Sequence, residues 1–285
     1  MVTVEQATAG DGMPWRIYDT MHDRSGSQAS LGRHGIVPAH VFMKNRFYER
    51  GAEYSKPPTE KRVKEFARKI PHEVLTCMDL EGEDWMRLVS RKESGDFYLD
   101  EDSYQAFLEI ARAINEVNPE LRWGFFVRPP NSFPAKKAWR TKRKGYDERA
   151  EEYLQQWLDL QDEMIDLYEE VDVIFIATYY TSRNYDSFDQ MKDWLRFYLE
   201  HYDPPVDIPV YIFMCPLDPY TNTSTGADFL TAEQWRWCME FAREHTDGLL
   251  LWSDVPFDWD THAKGRPWWD ETKKFPTRTP DQNGE

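Results

Sequence analysis

Short, near-continuous apolar runs alternate with longer amphipathic ones along this chain, and that alternation limits its fold more than any single motif does. Strand-like runs fall at Arg16–Tyr18, Ile36–Met43, Val74–Met78, Leu121–Val127, Val171–Thr178, Ile208–Met214 and Gly248–Trp252. Segments such as Val173-Ile174-Phe175-Ile176-Ala177 and Leu249-Leu250-Leu251 lack polar alternation. Parallel strands read this way when both of their faces are covered. Between them, Thr59–Ile70, Asp102–Val117, Asp147–Glu170, Phe188–His201 and Ala232–His245 space their apolar residues by three and four, as amphipathic helices do. Capping-box pairs open two of these helices, Ser187 with Gln190 and Thr231 with Gln234.

Strands alternating with helices predict an α/β chain with a parallel sheet and helical crossovers. The expected architecture is a (β/α) TIM-like barrel, distorted, of roughly seven or eight strands. An open doubly wound sheet competes with it. No glycine-rich turn follows a strand, so the dinucleotide and P-loop fingerprints of that alternative are missing. The 285 residues suit one barrel. Pro129-Pro130 and Pro204-Pro205 break connections and do not mark a linker, so residues 1–272 are expected as a single barrel domain. Lys273–Glu285 reads as a disordered tail.

A formal net charge of −16 argues against nucleic acid as a partner, since phosphate binding needs clustered cations. The basic stretch Lys136–Lys144 is read as a solvated loop, with the lining of a local basic cleft as its alternative. No run of apolar residues is long enough to span a membrane. The N-terminal segment lacks the pattern of a secretory signal peptide, and export is left open. Cys77, Cys215 and Cys238 are too scattered for a disulfide framework or a zinc cluster. The seven histidines show no zinc-ligand spacing, and His40 reads as a core histidine, so neither a metal nor a cofactor is expected. There is no G-x-S-x-G elbow.

The chemistry-bearing residues gather where strands should end. Asp79 and Glu81 flank Leu80, and residues two apart in a strand point to one face. Two neighbouring carboxylates can divide acid and stabiliser roles, because repulsion keeps one protonated while the other ionises. That is what glycosidic-bond hydrolysis requires. The opposing reading is one solvated acidic loop, Glu81-Gly82-Glu83-Asp84. Trp252 ends the last apolar run and is either a sugar-subsite floor or a core residue; Asp254 lies just beyond it. Tyr179 and Tyr180 end another run, and only one of two neighbours can face the mouth. Arg128 follows Trp123-Gly124-Phe125-Phe126-Val127, and could hold a carboxylate or sulfate or pair with Asp79 or Glu81. With 12 Trp, 15 Tyr and 16 Phe the chain is rich in rings able to cover sugar faces.

In order, these strand ends resemble the hyaluronidase family of glycoside hydrolases and, more distantly, the chitinase type. The likeness rests on Asp79-Leu80-Glu81 followed by Trp85, on Trp123-Gly124-Phe125-Phe126, on Thr178-Tyr179-Tyr180, on Pro209-Val210-Tyr211, and on Gly248–Trp252. It runs roughly from Val37 to Asp254. The resemblance implies a distorted barrel, a poly- or oligosaccharide substrate, and retaining hydrolysis assisted by the substrate's acetamido group. It makes Glu81 the acid/base and Asp79 the group that orients and stabilises the acetamido. Tyr180 would hydrogen-bond that group and Trp252 pack on its methyl. The chain departs from the family at Phe213, where a second tyrosine is usual, and lacks its disulfides. A non-catalytic carbohydrate-binding barrel is the alternative function; a barrel hydrolase or isomerase for small molecules is the third.

Overall fold

The computed structural model describes residues 15–20, 35–48, 54–127, 132–177, 184–217, 229–252 and 263–275. In chain order the strands are β1 (Arg16–Asp19), β2 (Val37–Pro38), β3 (His40–Met43), β4 (Thr76–Asp79), β5 (Val89–Arg91), β6 (Phe97–Leu99), β7 (Trp123–Phe125), β8 (Ile174–Ala177), β9 (Val210–Met214) and β10 (Gly248–Leu251). The helices are α1 (Glu60–Ala67), α2 (Glu101–Val117), α3 (Phe133–Lys142), α4 (Asp147–Glu163), α5 (Ile165–Glu169), α6 (Phe188–His201), α7 (Ala232–His245) and α8 (Pro267–Thr272). They form two compact units: β1, β2, β9, β10, α7 and α8 belong to the first, β3 to β8 and α1 to α6 to the second.

In the first unit β1 pairs in parallel with β2 on one side and β10 on the other, and β10 continues to β9. Leu249, Leu250 and Leu251 are fully buried, as expected for a strand covered on both faces. Gly248 leaves room for the Tyr211 ring, which would lie 2.6 Å from a Cβ at that position. α8 is short and docks on α7 through its side chains. The Trp235 indole donates to Thr272 Oγ1 at 2.8 Å, and its ring meets Trp268 edge-on at 5.9 Å.

Arg236 donates both arms of its fork to Glu271 at 2.9 Å, and Lys274 donates to the same carboxylate at 2.6 Å. Arg236 first, then Lys274, pulls the Glu271 carboxyl down to about 2 from its ordinary 4.5. The unfolded chain therefore binds the proton more tightly, so this group's stabilisation is complete above pH 4.5 and disappears as pH falls toward 2. Wild type should accordingly lose its advantage over Glu271→Gln across that interval in acid titrations followed by circular dichroism. A constant difference would contradict the assignment.

In the second unit β3, β4 and β7 are parallel, and a bridge between Phe126 and Phe175 carries the order on to β8. α1 and α2 cover one face: Phe66 meets Phe42 edge-on at 5.0 Å, and Phe107 meets Phe125 at 4.9 Å. Gly124 has no space for a side chain, since a Cβ there would stand 2.1 Å from the carbonyl oxygen of Val173.

The expected long helices are present, and so are the expected strands, except that Ile36–Met43 is interrupted at Ala39 into β2, which pairs with β1, and β3, which pairs with β4; other differences have local causes. The connection from β4 to α2 holds an antiparallel hairpin, β5 with β6, turned at Gly95 with φ +97°. Strands of three residues are too short to register as periodic runs. Lys136–Lys144 is not a solvated loop. It is helical through Lys142, with Pro134 in the first turn and Ala135, Ala138 and Trp139 turned inward. The run Asp147–Glu170 breaks at Met164 into α4 and α5. Thr231 and Gln234 make the full reciprocal capping box. Ser187 accepts from the Gln190 amide, but the Gln190 side chain accepts from the amide of Asp186. Of the expected tail Lys273–Glu285, the first three residues are folded, Lys273 closing α8 and Phe275 buried, and residues from 276 lie outside the described residues.

Candidate active site

β4 ends in the pair singled out from the sequence. Parallel pairing sets Met43 of β3 beside Asp79, and the Phe126 amide donates to the Met78 carbonyl at 2.9 Å on the other side. The strand end carrying Asp79 is thus held between two neighbours. Asp79 is 7% exposed, Leu80 1%, while Glu81 is exposed. Leu80 therefore packs away from solvent between two carboxylates in different surroundings. Burial first, then the charges of Asp79 and Glu81, holds the Cys77 thiol pKa well above the ordinary value. Cys77 precedes Asp79 by two residues, so those two lie on one face of β4, and Glu81 stands two residues past the strand's end. The thiol is kept protonated and has no nucleophilic role. All three cysteines are buried as free thiols.

The loop after Glu81 is fixed. Lys44 donates to Glu83 at 2.7 Å and lies 5.2 Å from the Tyr54 ring centroid. Gly82 adopts φ +101°, and a Cβ there would meet the Lys44 ammonium at 3.0 Å. Trp85 belongs to this bracing: its indole donates to the Tyr54 carbonyl at 2.7 Å, and its ring tilts against Phe107 at 5.9 Å. At the end of β7, Val127 adopts φ +50°, with its amide donating to Phe175 O at 2.9 Å. A β-branched residue held there stores strain of about 1–3 kcal/mol, of the kind found where a chain is shaped for a ligand.

α3 follows this strand and carries Lys136, the first cation of the basic stretch. Lys136 is half-buried, its ammonium 4.8 Å from the Tyr185 ring centroid and 5.9 Å from that of Trp194. Burial first, and the Arg140 charge second, brings its pKa down to about 8 from 10.5. Between those values the unfolded chain holds more protons, so folding gains stability as pH rises through that window. Wild type should gain on Lys136→Met in melting temperature between pH 8 and 10.5. A flat difference would mean that Lys136 titrates normally.

The other candidates are distributed as follows. In the first unit Trp252 follows β10, half-buried, its amide donating to the Met214 carbonyl at 3.0 Å. Phe213 is fully buried in β9, in register with Leu250. Arg128, Tyr179, Tyr180 and Asp254 lie outside the described residues. Among the described residues no group of three or more His, Cys, Asp or Glu is arranged to hold a metal, and no helix is long and apolar enough to cross a membrane. Met43, 49% exposed beside Asp79, was missed because its significance depends on strand pairing.

No protein-family model matches the chain, and no curated protein matches it in sequence. Solved structures do. Bee venom hyaluronidase in complex with a hyaluronic acid tetramer matches with a TM-score of 0.58 at 12% identity, over 91% of this chain and 99% of its own. The same enzyme in a monoclinic crystal matches with a TM-score of 0.56. A psychrophilic glycoside hydrolase family 10 endo-β-1,4-xylanase matches with 0.50 at 11% identity, over 92% and 97% of the two chains. The fold is a (β/α) TIM-like barrel. It is a fold this chain shares with glycoside hydrolases, at identities that speak for the fold alone.

Proposed function

We propose that the protein hydrolyses glycosidic bonds of a polysaccharide, with Glu81 as general acid and Asp79 as electrostatic stabiliser or base. The observation that carries this reading is the asymmetric pair at the end of β4: a buried carboxylate closing the strand and an exposed one just beyond it, separated by a buried leucine. An exposed carboxyl can reach a leaving-group oxygen and exchange its proton with solvent. A buried one beside it is held in place to stabilise developing positive charge on the sugar or its acetamido group. Barrel enzymes assemble their chemistry at this end of their strands, and the shared fold supports that placement. The finer reading is retaining hydrolysis assisted by the substrate's acetamido group, with Tyr180 and Trp252 as sugar contacts.

A second reading, a barrel that binds carbohydrate without cleaving it, is favoured by Phe213. It stands where the resemblance expects a tyrosine, and it cannot donate a hydrogen bond. The two readings separate in a reducing-end assay on N-acetylated, uronic-acid, sulfated and neutral polysaccharides. Release of new ends supports the hydrolase, and release confined to N-acetylated glycans supports acetamido assistance. Binding to any of them without release favours the second reading.

A further inference from the structure

Two of the large exposed hydrophobic side chains in the second unit belong to β3 and to the helix that follows β7, the two strands that pair with β4. Met43 is 49% exposed in β3, directly in register with Asp79. Phe133 is 54% exposed at the start of α3, the helix that follows β7, and β7 pairs with β4 on the side away from β3. Phe133 is held firmly in place. Phe97 of the β5–β6 hairpin meets its ring edge-on at 5.5 Å and is itself backed by Tyr153, also at 5.5 Å. The hairpin is steadied in turn: Gln156 accepts from the Phe97 amide at 3.0 Å and donates to Asp96 at 3.2 Å. The hairpin occupies the connection that leaves the C-terminal end of β4, and Phe133 the one that leaves β7. Both therefore lie on the side of the sheet where Asp79 and Glu81 stand. A ring braced from behind with half its surface in water is a poor core residue and a ready platform for a flat apolar partner.

We propose that Phe133 is a remote sugar subsite, stacking on the CH face of one pyranose unit of a glycan that crosses the strand ends from β3 over β4 to β7. The occupant is a further ring of the same chain that Glu81 and Asp79 act on, because the platform follows β7 on the side of the sheet toward which the carboxylate-bearing strand end points. In consequence the protein handles polymers and long oligosaccharides better than disaccharides. The kinetic form of this inference rests on the hydrolase reading; its binding form does not.

The test uses disaccharide and hexasaccharide fractions of chitin, xylan and hyaluronan, with the full chain, its Phe133→Ala variant and its Phe133→Tyr variant. Phe133→Ala should raise the KM or Kd for the hexasaccharide by roughly fivefold or more, as truncation of an aromatic anchor does. It should leave kcat and the disaccharide values unchanged, and Phe133→Tyr should restore the hexasaccharide value. Equal effects on both lengths, or none on the hexasaccharide, would overturn the subsite. If wild type releases no reducing ends, the hydrolase reading fails, and hexasaccharide affinity by calorimetry then decides the subsite alone. Absence of any binding would overturn that as well.

Discussion

A folded Glu81→Gln protein is expected to release reducing ends at least about a hundredfold more slowly than wild type, the typical contribution of a positioned general acid. The amide has nearly the shape of the carboxyl but has no acidic proton to deliver to a departing oxygen. Folding should be untouched, because Glu81 is exposed and the loop that follows is anchored by Lys44 on Glu83. Asp79→Asn should differ in kind. Asp79 is 7% exposed at a strand end held on both sides by β3 and β7, so the variant tests charge at a fixed position. Circular dichroism and melting temperature alongside the rates would show whether the loss is chemical or structural.

The largest stability loss is expected at Gly124. Its missing side chain lets the backbone of β7 approach Val173, and a Cβ would stand 2.1 Å from the Val173 carbonyl oxygen. Nothing flexible can yield there. The Asp172 amide donates to Trp123 O at 2.9 Å, and the Trp123 amide donates to the Asp172 carboxylate at 3.2 Å. Relief would have to come from separating two strands. Overpacking a core typically costs about 1–3 kcal/mol, and a clash with fixed backbone belongs at or beyond the upper end. For a chain of this size Gly124→Ala should lower the melting temperature by roughly 6–12 °C or prevent recovery of folded protein. Gly145→Ala is the control: at φ +80° it pays backbone strain, but nothing lies within 4 Å of its Cβ. Equal melting temperatures for the two variants would contradict this account of Gly124.

Much of this arrangement was legible in the sequence because its signals are local. Phe188–His201 and Ala232–His245 are helices over those same residues, since Ser187 and Thr231 cap their first turns and apolar spacing runs unbroken to the end. Gly248–Leu251 was readable as a strand because four adjacent buried residues leave no alternation to mistake. The period of two set Asp79 and Glu81 on one face as an expectation, and the strand ends at Asp79. It could not tell that one is buried and the other exposed, since that depends on β3 and β7, which are distant in sequence. Trp85 shows the same limit. The resemblance makes it a substrate-binding candidate, and its indole N–H is engaged by the Tyr54 carbonyl. α3 was hidden by its own composition: the cations of Lys136–Lys144 mask the Ala135, Ala138, Trp139 stripe that packs inward.

The most direct test of the central claim is reducing-end release by wild type and Glu81→Gln side by side, at equal concentrations of folded protein, on the polysaccharide that wild type binds best. The account predicts release by wild type, a loss of at least about a hundredfold in the variant, and nearly unchanged affinity for the glycan. Equal rates in the two proteins would contradict it, because the exposed carboxyl at the end of β4 would then not be the acid.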